Sequence, residues 1–131
     1  MSLKIYPIEH DEVYGRFRRE LVKERVAIKK HDPATKYACY MNGIHPVAIV
    51  GWQVIKDGHI RFKTDYVRPN FRGKGLYSAL WEYRMNLIFK EYNPHTITAY
   101  CTEMSLPKYL KEGFLTRSVG KTGITYVKYQ P

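Results

Sequence analysis

Within the stretch DYVRPNFRGKGLYSALWEYRMNL, residues 65–87, the apolar residues change their period. Up to Val67 they alternate. Ile60, Phe62, Thr64 and Tyr66 fall on one face of a strand, leaving Arg61, Lys63 and Asp65 on the other. From Leu76 they recur at helical spacing, so Leu76, Leu80, Tyr83 and Leu87 share a face that Trp81, Met85 and Ile88 widen. A helix with so broad an apolar face lies flat on a sheet, and the strand that feeds it belongs to that sheet.

The link between them carries Pro69, Gly73 and Gly75 among the cations Arg68, Arg72 and Lys74. The two glycines allow a tight turn and a close approach of backbone to a ligand, because no Cβ intervenes. The N–H groups of the helix's first turn lack internal partners and point toward this link. With Arg72 and Lys74 beside them they suit a phosphate or pyrophosphate, although a basic strand-to-helix turn needs glycines for its geometry alone. A P-loop is excluded, since no GxxxxGK followed by Ser or Thr occurs, and GxGxxG lacks its third glycine.

The segment resembles the acyl-CoA-binding signature of the GCN5-related N-acetyltransferases, Arg/Gln-x-x-Gly-x-Gly/Ala after a strand ending in a Val-x-Pro-like step. Here Val67-Arg68-Pro69 precedes Arg72-Gly73-Lys74-Gly75-Leu76-Tyr77; Arg72 and Gly75 match, and Tyr77 replaces the last small residue. That ring must then be housed near the cofactor, or the turn differs locally. Further on, Tyr109-Leu110-Lys111-Glu112-Gly113-Phe114 looks like the family's Tyr-x-x-x-Gly-Phe element. Two such motifs in the family's order are more specific than either alone.

The resemblance implies residues 1–131 as a single acyl-CoA N-acyltransferase-like domain that takes acetyl-CoA or another acyl-CoA. It implies a pantetheine arm against Tyr66 and Val67 and a pyrophosphate over Arg72, Gly73, Lys74, Gly75 and Leu76, with Tyr77 adjoining. Tyr109 falls where the family has a tyrosine near the sulfur, a position from which its hydroxyl donates to the leaving thiolate; packed alone in a short helix, it is simply a core aromatic. For a general base the candidates are Glu103, at the end of the neighbouring strand, and Asp65, with ordered water as the alternative. Sharing a face with Arg61 and Lys63, Asp65 also reads as a salt-bridged surface carboxylate.

The rest of the chain agrees with an α/β fold of the α+β type. Lys4 to Ile8 reads as a strand, followed by a helix over residues 10–24 with Val13 or Tyr14, Phe17 and Leu21 inward and Arg16, Arg18, Arg19 and Lys23 outward. After a polar loop come strands over 36–41, 46–55 and 59–67, turned by Asn42-Gly43 and Asp57-Gly58, as an antiparallel meander. A strand over 96–102 returns parallel to the third through the helix over 76–90. A short helix over 104–112, anchored by Leu106 and ended by Gly113, leads to a hairpin of strands 114–118 and 124–129. The order is β-α-β-β-β-α-β-α-β-β, a mixed, mostly antiparallel sheet with a reduced early helical region.

With 22 Lys and Arg against 12 Asp and Glu, the formal charge is +10. The charge favours anionic ligands such as CoA and argues against a strongly cationic acceptor. A nucleic-acid-directed enzyme or binding module on the same scaffold is the alternative, with Arg61, Lys63, Arg16, Arg18 and Arg19 as its basic face, although no zinc-finger, homeodomain or RRM signature accompanies it. The acceptor expected from the resemblance is a small-molecule or protein amine, and the chain a monomer or homodimer. His10, His31, His45, His59 and His95 are scattered outside any ligand spacing, so no metal site is expected. Ser78 and Ser105 stand in no nucleophile elbow. No apolar run approaches a membrane span and no secretory h-region follows Met-Ser-Leu-Lys, so no membrane association is expected. Cys39 and Cys101, the only cysteines, read as buried free thiols of a cytoplasmic protein.

Overall fold

The computed structural model describes residues 4–131; Met1, Ser2 and Leu3 lie outside the described residues. The elements follow in the order β1 (Ile5–Ile8), α1 (His10–Lys23), β2 (Thr35–Asn42), β3 (His45–Lys56), β4 (His59–Val67), α2 (Leu76–Glu91), β5 (Thr96–Cys101), α3 (Leu106–Lys111), β6 (Leu115–Val119) and β7 (Thr125–Tyr129), with a single 3₁₀ turn at Pro69–Phe71. The strands form one seven-stranded sheet ordered β1-β2-β3-β4-β5-β7-β6. Among the described residues only β4 and β5 run parallel, joined through α2; every other neighbouring pair is antiparallel. This is the α+β layout expected from the sequence.

Each face of the sheet has its own core. Val13, Phe17 and Leu21 of α1 pack on Tyr37, Cys39, Ile49 and Tyr66. On the opposite face, Leu80, Trp81 and Ile88 of α2 and Tyr109 of α3 pack on Ala48, Val50, Trp52, Ile60, Phe62 and Ile97. Strand β3 supplies alternate residues to the two cores, as its pattern requires.

Two details depart from the sequence reading, and they are coupled. The alternation expected along β4 breaks at Thr64, where φ is +61°. Opposite β3 the register slips between Gly51↔Lys63 and Ile49↔Tyr66, so β4 carries a bulge. Beyond it the faces exchange. Tyr66 turns to the α1 side, while Asp65 leaves the face of Arg61 and Lys63 for the α2 side. Gly51 permits the bulge, since a Cβ there would lie 2.8 Å from the Lys63 carbonyl.

The second departure is the inward face of α2. Leu80, Trp81, Arg84 and Ile88 are buried, whereas Leu76, Tyr83 and Leu87 are only half-buried. The stripe is rotated from the expected one because a fully buried arginine sits at its centre. Asp65, delivered by the bulge, is what makes that burial tolerable.

Candidate active site

β4 and β5 pair from His59↔Thr96 to Phe62↔Ala99 and no further. Past that point Lys63–Val67 and Tyr100–Cys101 have no pairing with each other, so the sheet opens into a cleft at the ends of its two parallel strands. Of the side chains singled out from the sequence, Asp65, Tyr77 and Tyr109 meet beside this opening.

At its base is a buried polar cluster. Arg84 is 0% exposed and Asp65 5%. The guanidinium donates from Nη1 to Asp65 Oδ1 at 2.6 Å and from Nη2 to Oδ2 at 3.0 Å, and Nη1 also reaches the Gly51 carbonyl at 3.0 Å. The Tyr77 and Tyr109 hydroxyls both donate to Asp65 Oδ2, at 2.5 and 2.7 Å. Beneath, the guanidinium carbon lies 3.8 Å from the centre of the Phe62 ring. Burial alone would lower the Arg84 pKa, but the adjacent Asp65 charge more than offsets it and leaves the group above its ordinary value. Burial first, and then the Asp65 charge, hold Tyr77 and Tyr109 well above the usual phenol range.

Asp65 is therefore not a surface carboxylate: it accepts four hydrogen bonds. Tyr109, 2% exposed, is both a packed aromatic and a hydroxyl aimed at the cluster. Arg84 was missed from the sequence, although its spacing of four from both Leu80 and Ile88 marks it as central to the stripe.

The glycine link forms the other wall. Gly73 (φ +75°) and Gly75 (φ +79°) are left-handed, and Gly75 is the residue capping α2. A Cβ at either would meet nothing within 4 Å, so the protein leaves the space beside the loop empty. None of the N–H groups from Gly73 to Tyr77 donates to a backbone carbonyl in the loop or cap. A hollow of about 340 Å³ joins this loop to Val67, Ser78 and Met104.

Other predicted cofactor residues are engaged within the protein. Arg72 turns back, donating from Nε to the Val67 carbonyl at 2.8 Å and pairing with Glu24 at 2.5 Å. Lys74 lies over the Phe71 ring. The Tyr66 side chain is buried on the α1 side with its hydroxyl on Glu20, and Tyr77 lines the hollow beside the loop while its hydroxyl reaches into the Asp65 cluster.

A larger cavity of about 570 Å³ opens on the α1 side of the cleft and includes Asp65, Tyr109 and Ser105 in its wall. Arg61 and Lys63 line it too. They are half-buried, which corrects their expected place on an open basic face: Arg61 lies over the Tyr100 ring, and Lys63 pairs with Asp32 at 3.3 Å. Glu103 is exposed and borders an adjoining hollow with Lys23, Arg25 and Thr122. The structure thus brings Asp65 and Tyr109 together and leaves Glu103 outside their cavity. Among the described residues, no three His, Cys, Asp or Glu side chains are grouped to hold a metal ion. Cys39 and Cys101 are both buried and free.

This architecture is the GCN5-related N-acetyltransferase fold. An acyl-CoA N-acyltransferase from Pseudomonas aeruginosa superimposes with a TM-score of 0.76 at 14% identity, over 97% of this chain and 99% of that one. The PaiA N-acetyltransferase of Thermoplasma acidophilum, solved in complex with coenzyme A, does so with 0.74 at 10% identity over 100% of both chains. The N-acetyltransferase PseH of Campylobacter jejuni gives 0.65 at 17%, over 97% of this chain and 98% of its own. By sequence, no family model and no curated protein matches the chain.

Proposed function

We propose that residues 1–131 form one acyl-CoA-dependent N-acyltransferase domain, transferring an acetyl or related acyl group from acyl-CoA to a primary amine. The observation that carries this reading is the cleft between β4 and β5, with a hollow leading from Val67 to a glycine loop whose N–H groups are unpartnered. The fold shared with a protein solved with coenzyme A supports it.

The loop N–H groups of Gly73 to Leu76 and the positive end of α2 would hold the pyrophosphate. Arg72, turned onto Val67 and Glu24, contributes chiefly by fixing the loop to the end of β4 and adds positive potential nearby. Tyr66 and Val67 act through their backbone at the cleft edge.

In the reaction the amine nitrogen bonds to the thioester carbon, the C–S bond breaks, the amine gives up a proton and the departing thiolate takes one. With its pKa raised, Tyr109 stays protonated and is a persistent hydrogen-bond donor to the sulfur. If its hydroxyl swings from Asp65 to the sulfur, Asp65 still keeps Arg84 and Tyr77 as donors. With four donors already on it, Asp65 serves to orient Tyr109. The amine proton leaves through ordered water, with Glu103 as the exposed carboxylate on the adjoining hollow.

The cytoplasm, where CoA is found and buried thiols stay reduced, is the compartment this reading calls for. Release of CoA thiol from acetyl-CoA, measured across a panel of primary amines, tests it. Amine-dependent release is expected. No release with any amine, together with no binding of CoA or acetyl-CoA at millimolar ligand, would leave a basic binding domain on an acetyltransferase scaffold.

A further inference from the structure

The 570 Å³ cavity on the α1 side of the cleft has an unusual charge balance. Arg25, Lys29, Arg61 and Lys63 line it, and its one carboxylate, Asp65, is bound by Arg84. Of the four cations only Lys63 has a carboxylate partner, Asp32. Arg25 donates to the Thr122 carbonyl, a neutral acceptor. Arg61 Nε is buried and has no hydrogen-bond partner within the protein. A buried donor left without a partner is a cost the fold carries, and it marks this arginine as held for more than packing. The remaining wall includes Tyr100 and Ile124.

We infer that the acceptor is a small primary amine carrying an anionic group, a carboxylate or a phosphate, seated on Arg61 with Lys29 and Arg25 around it. The inference rests on the acyl-transfer reading and specifies its substrate. An anion in the cavity would meet the Arg61 guanidinium at its terminal nitrogens and offset a charge that no carboxylate pairs. The surrounding positive charge has a second effect on the reaction. A bound ammonium is disfavoured beside like charges, so the acceptor nitrogen is held more in its neutral, nucleophilic form. That suits a site whose buried carboxylate is already saturated with donors. A diamine or polyamine would meet repulsion at both ends.

Calorimetry on the full chain, with and without saturating CoA, tests this using matched ligands: 4-aminobutyrate and O-phosphoethanolamine against ethanolamine and 1,5-diaminopentane. Binding of one or both anionic amines about 10- to 100-fold tighter than either uncharged-tail or cationic counterpart is expected. The stronger of the two anionic arms identifies carboxylate or phosphate. Arg61→Gln should abolish the preference while leaving CoA affinity as in the wild type, and the exposed Lys29→Gln should reduce it without threatening the fold. Equal binding of all four ligands, tighter binding of the diamine, or a preference unchanged in both variants overturns the inference. If CoA binds and the preference is missing, only the substrate class is wrong. If CoA fails to bind while the anionic preference appears, the acyl-transfer reading fails and the anion site stands.

Discussion

At the scale of single residues the account turns on Tyr109 and its partners. Tyr109→Phe removes one oxygen and keeps a ring that packs edge-on to Trp81 at 4.7 Å and Phe114 at 5.0 Å. Turnover should fall roughly 10- to 1000-fold with acetyl-CoA affinity little changed, the pattern of a donor used in the transition state. Wild-type turnover in a folded, cofactor-binding variant would show the hydroxyl to be purely structural. The same cluster sets a pH response. Burial and the Asp65 charge hold Tyr77 and Tyr109 well above the phenol range, and the same two causes push the Cys101 thiol up to about 12. In the unfolded chain the thiol ionises at about 8.5 and the phenols at about 10. Above those values the unfolded state binds fewer protons than the folded one. Their stabilising contribution is thus complete below about pH 8.5 and is lost as pH rises, by up to about 1.4 kcal/mol per pH unit for each group. Urea midpoints should hold steady to about pH 8 and fall by about pH 10.5; a midpoint that rises over that range would contradict the burial of these groups.

At the scale of elements, most of the chain was legible because its patterning is regular. The meander, the parallel return through α2 and the final hairpin all follow from alternation, helical spacing and glycine turns at Asn42-Gly43 and Asp57-Gly58. What could not be read was the bulge at Thr64. A threonine has no preference for φ +61°, and the glycine that makes room for it, Gly51, lies on another strand. Without the bulge, Asp65 reads as an outward charge and Arg84 as an ill-placed cation; with it, the two form one buried pair. The motifs Arg72–Gly75 and Tyr109–Phe114 fall after β4 and along the end of α3. They gave no hint that Tyr77 and Tyr109 meet on a single carboxylate. The glycine loop makes its own prediction. Gly75→Val would place a β-branched residue at φ +79° and a side chain in the empty space beside the loop. Stability should drop by about 1–2 kcal/mol from the left-handed backbone, while CoA affinity falls much further. A folded variant with unchanged affinity would mark the loop as turn geometry alone.

For the whole molecule, the +10 charge now has a location as well as a sign. Arg61 and Lys63, which a nucleic-acid face would need outward, are drawn into the cavity beside the cleft, whereas Arg16, Arg18 and Arg19 stay exposed on α1. The two proposed anion sites, the glycine loop and the Arg61 cavity, would then lie on either side of the opening between β4 and β5, with the Asp65–Arg84–tyrosine cluster between them. Among the described residues no helix is long and apolar enough to cross a membrane. The central claim is that this opening is an acyl-CoA site whose loop holds the pyrophosphate. It is tested most directly by calorimetric titration with CoA and with pantetheine, which has the same thiol arm but no pyrophosphate or nucleotide. CoA should bind with a dissociation constant between low micromolar and millimolar, and pantetheine at least about tenfold more weakly, as expected when charge-assisted bonds to a phosphate are lost. Equal affinity for the two, or no binding of CoA at millimolar concentration, would contradict the claim.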